Sequence, residues 1–339
     1  MVDAFANSDT CSVPCNLCGS ATIAVVRTSD RDGNNLRSVI CKHCGLVWTD
    51  PRPNPELVRV FYEKEYRIDY KGSFQPKLKH VFREGQSGLS RFRRIQQYLT
   101  PNAKVFDVGA GGGGFIYVLR CMGYDATGLE PNEGYAGFAS DVLKLPVKFG
   151  FYQDAAVPRE SQDIVTMFHV VEHLESPADV IEVVWDWLRP KGFLVIEVPN
   201  VEAVCQHPHT QFHVGHLYHF NLVTLQKLGE THGYSVVESF TSPDGGNIAV
   251  VFQKTDNSFK GGSETPKNYE RVRTVLKRHT AFRHFCSGYP FIRPIQKAYQ
   301  RLRELWWVQS NKSPKKLLDA LVNSRLGRTA EASAEQKHD

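Results

Sequence analysis

The chain has 339 residues, 41% hydrophobic and 23% charged, enough apolar material for a globular core and too much for bulk disorder. Its N-terminus, MVDAFANSDT, has no cationic start followed by an apolar run, so it does not read as a secretory signal; no apolar stretch approaches the ~20 residues of a bilayer span, and cytoplasmic placement is expected. The net charge is +5, but residues 259–328 carry sixteen Lys/Arg against four Asp/Glu, an excess that suits either an anionic partner or a solvated basic face.

First in chain order is a cysteine module. Cys15-x-x-Cys18 and Cys41-x-x-Cys44 are separated by twenty-two residues, and each pair runs into a glycine (CNLCG, CKHCG). Four thiolates at this spacing suit tetrahedral zinc with no open position, which makes the ion structural. Two pairs in one short module argue against a redox dithiol, and His43 between the ligands reads as a bystander. The remaining cysteines (Cys11, Cys121, Cys205, Cys286) are scattered, with Cys121 expected in the core of an apolar helix. Residues 11–50 thus read as a zinc ribbon. Residues 51–100 read as a helical lid or linker, through ELVRVFYEKEY and LSRFRRIQQYL, where Tyr66 and Tyr70 either line a lid or pack as helix aromatics.

From 101 to 255, short apolar runs alternate with helical patterns, the rhythm of βαβ units. Strands are predicted at 104–108, 125–129, 146–149, 163–168, 193–198, 235–240 and 247–252. Helices are predicted after Gly113, after Asn132, from Pro177 to Leu188 and from Leu222 to His232. Five alternating strands and a closing pair predict an α/β fold with a Rossmann-like, seven-stranded doubly wound sheet. A polar linker from about 256 leads into a basic helical extension reaching 330, and 331–339 read as a disordered tail.

Within the alternating region, VFDVGAGGGGF (105–115) places a glycine turn between a strand and a helix, where backbone amides can approach a ligand closely. Gly109, Gly111 and Gly114 fit G-x-G-x-x-G, while Gly109, Gly111 and Gly113 fit G-x-G-x-G, so the loop alone leaves the cofactor open. Glu130 ends the next strand, where an acid accepts ribose hydroxyls in nicotinamide and other nucleoside sites alike.

Further on, His169, Glu172 and His173 spell the inverted zinc-protease motif H-x-x-E-H. They fall on a strand-to-helix turn between DIVTMF and ESPADVIEVV, where the two histidines would not share a helical face. Five histidines lie between 207 and 219. His216 is the preferred general base, with His213 and His219 next, and Asn221 is a plausible helix N-cap. No carboxylate accompanies these histidines at ligand spacing, which argues against a second metal site.

In order and spacing, VFDVGAGGGGF, GLEPN and DIVTMFHVVEHLESP resemble the motifs of class I S-adenosylmethionine methyltransferases. The resemblance implies that Asp107, Gly109 and Gly111 contact the methionine end of the donor and Glu130 its ribose. Ala110, Gly113 and Pro131 belong to the same two turns, Gln153 and Asp154 would flank the adenine, and His169 would lie near the methyl group. The layout CNLCG…CKHCGLVWTDPRPNPELVRVFYEKEY resembles bacterial methyltransferases with a zinc ribbon, some of which act on nucleotide-linked deoxysugars. That likeness covers roughly residues 11–255. It implies that the loop after the fifth strand, ending at His216–Asn221, faces the methyl group. The sugar C-methyltransferases carry a Glu-His pair there; Gly215 precedes His216 here, which removes one acid–base candidate.

The expected activity is therefore methyl transfer from S-adenosylmethionine to a small-molecule acceptor, most simply a sugar in a biosynthetic pathway, with structural zinc alongside. A phosphate-bearing or lipid-linked acceptor and peripheral membrane contact would suit the basic end. The alternatives are a zinc-ribbon RNA methyltransferase, which the absence of an NPPY-type tetrapeptide disfavours, and a non-catalytic binding module. A nicotinamide oxidoreductase is disfavoured by the EHL segment.

Overall fold

The computed structural model describes residues 10–54, 59, 72–255, 265 and 267–335. Apart from Arg59, the predicted helix ELVRVFYEKEY lies outside them, as do Tyr66 and Tyr70. The chain divides into two compact units, residues 1–66 with 156–294, and residues 67–155 with 295–339.

Beside a two-residue antiparallel pair, Thr10–Cys11 with Arg52–Pro53, the longer elements begin with strands β1 (Ile23–Ser29), β2 (Asn35–Cys41) and β3 (Val47–Thr49), then helix α1 (Leu78–Ile95). There follow β4 (Lys104–Val108), α2 (Gly114–Cys121), β5 (Asp125–Glu130), α3 (Glu133–Gly137) and β6 (Val147–Phe149). Next come β7 (Gln162–Phe168), α4 (Pro177–Trp187), β8 (Leu188–Pro199), β9 (Tyr218–His219), α5 (Leu222–Glu230), β10 (Tyr234–Thr241) and β11 (Asn247–Lys254). Helices α6 (Asn268–Arg278), α7 (Ala281–Cys286), α8 (Tyr289–Ser310) and α9 (Pro314–Glu335) complete the chain.

The seven strands predicted for the α/β region are all present, of mixed direction and flanked by helices. In the second unit β5 lies between β4 and β6, all parallel. Both faces of such strands are covered, so they read as apolar runs: Val105, Phe106 and Val108 are buried, as are Ile116, Val118 and Leu119 of α2. In the first unit β7 runs parallel to β8, β8 pairs antiparallel with β11, and β11 antiparallel with β10. That unit holds a second, fully antiparallel sheet in the order β9-β3-β2-β1, centred on the buried Trp48.

Helix α1 begins at Leu78, eleven residues before the apolar pattern that predicted it. Gly85 and Gly88 hid its first half, because glycine lowers helix propensity. Both are there for close approach. A Cβ on Gly85 would lie 2.6 Å from Leu318 Cδ2, and one on Gly88 would lie 2.9 Å from the Gly114 carbonyl oxygen and 3.0 Å from Phe115 Cα. Helix α9 supplies the buried Leu317, Leu318, Leu321 and Val322, and the Tyr117 hydroxyl donates to the Asp319 carboxylate. Arg83 and Glu304 form an ion pair at 2.7 Å. Part of the basic C-terminal region is therefore built into the packing of the second unit. Its helix α8 nevertheless leaves Phe291, Ile295, Tyr299 and Leu302 exposed. Cys121, expected in the core, is exposed, because α2 ends on it. Among the described residues no helix is long and apolar enough to cross a membrane.

Gly88→Ala is expected to force α1 and α2 apart, destabilising the chain by about 1–3 kcal/mol and lowering the melting temperature. Gly137→Ala, whose nearest neighbour would lie 3.8 Å away, is expected to leave that temperature unchanged or raise it.

Candidate functional site

Strand β4 carries the buried Asp107 and stops at Val108. Gly109, Gly111 and Gly113 then adopt φ of 76°, 58° and 82°, in the left-handed region that side chains resist. The turn closes against β5: the amides of Gly109 and Ala110 both donate to the Leu129 carbonyl at 2.9 Å. Glu130, 2% exposed at the end of β5, accepts from the Gly111 amide at 2.8 Å and the Asn132 amide at 3.2 Å. Asn132 in turn caps α3. The two buried carboxylates fit S-adenosylmethionine: Asp107 suits a cationic amine and Glu130 a vicinal diol, beside a turn in which Gly109, Gly111 and Gly113 present no side chain to a ligand. Pro131 is partly exposed at the same turn. Gln153 and Asp154 are exposed on a short 3₁₀ turn, Tyr152–Asp154, beyond β6.

In the first unit the four predicted zinc ligands converge. Cys15 Sγ lies 3.4 Å from Cys44 Sγ and Cys18 Sγ 3.5 Å from Cys41 Sγ, all four within 4.8 Å of one another and none in a disulfide. The two knuckles share one geometry, since Gly19 donates its amide to the Cys15 carbonyl and Gly45 to that of Cys41. Both glycines are left-handed, with φ of 70° and 80°. Hydrogen bonds from Cys15 and Cys44 pull the Cys41 thiol far down, while contact with the other thiols and burial push Cys15 and Cys44 up. Four sulfurs gathered this closely, with no carboxylate or imidazole among them, are a donor set that fits tetrahedral zinc. His43 is exposed, and its amide, not its ring, reaches Cys41 Sγ at 3.4 Å. Asn268, absent from the sequence reading, ties the knuckle down by donating to the Cys44 carbonyl at 2.7 Å and accepting from Asn221 at 2.8 Å. Asn221 caps α5, as its position predicted.

The histidines gather around a carboxylate. His169 directly follows β7 with φ of 58°, unusual for a residue with a side chain. Its Nδ1 lies 3.2 Å from Glu172 Oε1 and its Nε2 3.5 Å from Glu197 Oε1. Glu172 is 1% exposed, and His173 Nδ1 donates to the Gly215 carbonyl at 2.5 Å. The His173 and His216 rings are 4.8 Å apart and those of His213 and His216 3.8 Å. Burial pushes His216 well below its ordinary range and pulls His213 and His219 down to about 3. The expectation that no carboxylate accompanies the loop histidines is thereby corrected. Glu172 supplies it from more than forty residues away in sequence, and nothing in local spacing reveals the pairing. Glu197 was missed for the same reason; it sits inside an apolar strand run.

Residues 78–239 match the family model of a methyltransferase domain. The chain is 28% identical over 223 residues to the C-methyltransferase NovU of Streptomyces niveus, covering 64% of this chain and 50% of that one. It is 29% identical over 118 residues to a ubiquinone biosynthesis O-methyltransferase of Photobacterium profundum, covering 31% and 50%. It thus spans about half the length of these relatives. An S-adenosylmethionine-dependent methyltransferase of Archaeoglobus fulgidus superposes with a TM-score of 0.45 at 18% identity, covering 56% of this chain and all of that one. Residues 78–239, a little under half of the chain, are thus similar to methyltransferase domains.

A histidine held neutral in the fold but protonated when unfolded lowers stability as pH falls. For His213 and His219 the contribution is fully present above about pH 6.5 and is lost progressively toward pH 3. The urea midpoint is expected to fall on acidification from pH 7 to 5, and His219→Phe should flatten that fall. An unchanged profile would show that His219 does not titrate in this window.

Proposed function

We propose that the chain transfers a methyl group from S-adenosylmethionine to a small-molecule acceptor, a sugar unit of a biosynthetic intermediate, in the cytoplasm, and that its four cysteines hold structural zinc. The reading is carried by the buried Glu130, set by the Gly111 and Asn132 amides beside three left-handed glycines. The sugar acceptor rests on the resemblance of the Cys-x-x-Cys ribbon and its following segment to bacterial methyltransferases of which some act on nucleotide-linked deoxysugars. The exposed apolar side chains of α8, interleaved with Arg293, Lys297 and Arg301, support a lipid-linked acceptor at an anionic membrane surface.

When bound, S-adenosylmethionine supplies an electrophilic methyl on a sulfonium, so the protein's work is binding, alignment and proton handling. Asp107 would hold the methionine amine, Glu130 the ribose hydroxyls, and Gln153 and Asp154 the adenine edge. His169 is the better-placed base, because its ring keeps partial exposure at the end of β7. Glu172 Oε1 holds its Nδ1 proton, leaving Nε2 to take the acceptor's proton, and Glu197 stabilises the imidazolium that forms. His216 and His219 would support the acceptor as neutral rings.

Calorimetric titration with S-adenosylhomocysteine tests the reading. The wild type should bind it and not NADH, and Glu130→Ala should weaken binding roughly 30-fold or more, the loss of about 2 kcal/mol or more of hydrogen bonding. Preference for NADH would overturn it. For the cysteines, Cys18→Ser is expected to lose one zinc per chain; equal zinc in variant and wild type would remove the centre.

A further inference from the structure

We propose that Glu172, His173 and His216 form a second metal site, separate from the four cysteines, which takes a divalent transition cation and leaves a position open for an oxygen of the methyl acceptor. The cation site stands on its own geometry; the role of the open position rests on the methyltransferase reading.

One ligand atom from each of the three residues lies within 4.8 Å of the other two, and His173 Nε2 is 3.9 Å from Glu172 Oε1. Two imidazoles and a carboxylate are the donor set of open catalytic zinc and non-haem iron sites. Bonds of about 2.1 Å place neighbouring donors roughly 3–3.5 Å apart, so closing on a cation asks only a small contraction. Oxygen-only cations such as calcium and magnesium suit the set poorly, and it has no thiolate to favour copper(I).

The orientation of each group points the same way. His173 Nδ1 donates to the Gly215 carbonyl, which puts the ring's lone pair on Nε2, the arrangement that metal-ligating histidines adopt. Glu172 has its Oε1 held by His169 Nδ1, while its Oε2 is buried with no hydrogen-bond partner among the described residues. A buried carboxylate oxygen without a donor is costly, and a cation meets that need.

Backbone contacts brace the two segments: Leu217 donates its amide to the Glu172 carbonyl at 2.8 Å, and His216 donates to that of His213 at 3.0 Å. Glu172 and His173 sit on the 3₁₀ turn Val171–His173. On this turn His169 serves as an outer partner of Glu172, so the H-x-x-E-H residues do not act as they would on a protease helix. As whole residues His173 and His216 are part-buried while Glu172 is buried, so a fourth, exchangeable ligand would reach the cation from the histidine side.

A cation held there would acidify an acceptor hydroxyl in the open position. His169 would take that proton, the oxygen would bond to the methyl carbon of a bound donor, and the carbon–sulfur bond would break with its electron pair remaining on the neutral thioether.

The test is metal stoichiometry of the full chain, dialysed against micromolar zinc and measured by mass spectrometry, with S-adenosylhomocysteine titrated into the same samples. The wild type should carry two zinc ions per chain, and Glu172→Gln and His216→Asn should each carry one, with circular dichroism unchanged. Cobalt added to protein holding only its cysteine-bound zinc should give weak visible bands without thiolate charge transfer, and these should vanish in Glu172→Gln. One zinc in the wild type, or a second that persists in both variants, overturns the site whatever the variants do to folding. No second zinc with intact S-adenosylhomocysteine binding removes the site and leaves the methyltransferase reading standing; two ions without that binding do the reverse.

Discussion

A carboxylate buried at the end of a strand must be met by donors, and Glu130 is met by the backbone amides of Gly111 and Asn132. Much of the second unit's loop geometry follows from that contact. For the Gly111 amide to reach Glu130, the turn after β4 must reverse tightly, which sets its three left-handed glycines. For β4 and β5 to lie close enough, residue 128 must lack a side chain: a Cβ there would sit 2.5 Å from the Asp107 carbonyl oxygen. The amide of Asn132 is fixed by its own role as cap of α3. An acid that orders the turn around itself before any ligand arrives is a pre-organised site, so little ordering cost remains at binding.

The same rule acts on polar groups of the first unit. Asn268 satisfies the Cys44 carbonyl and the Asn221 amide group together, so the cysteine knuckle and the N-cap of α5 depend on one side chain. A Cβ on Gly45 would lie 2.6 Å from Asn268 Nδ2, which adds a steric reason for glycine to its left-handed φ. Glu172 departs from the rule, with one oxygen held by His169 and the other unmet. An exception of that kind in a cluster of neutral imidazoles is where function concentrates.

The strands were legible because buried parallel strands are written as continuous apolar runs. KVFDV and DIVTMF mark β4 and β7 to within a residue, and Asn221 and the Cys-x-x-Cys-Gly knuckles declared themselves through local chemistry. Helix α1 was legible only in its second half, since Gly85 and Gly88 answer to Leu318 and Gly114, partners distant in sequence. The division into units was hidden as well, because each is assembled from two separate stretches of chain. The glycine turn, Glu130 and the four cysteines could be named from spacing alone. The junction of Glu172 with His216 could not, because periodicity carries no information about which loop folds over which turn.

Hydrogen exchange of the full chain, with and without S-adenosylhomocysteine, tests the central claim most directly. The account predicts added protection at the amides of residues 109–114 and 129–132 and at the Tyr152–Asp154 turn, and none there on adding NADH. Protection by NADH at the same amides, or no protection by S-adenosylhomocysteine there, would contradict it.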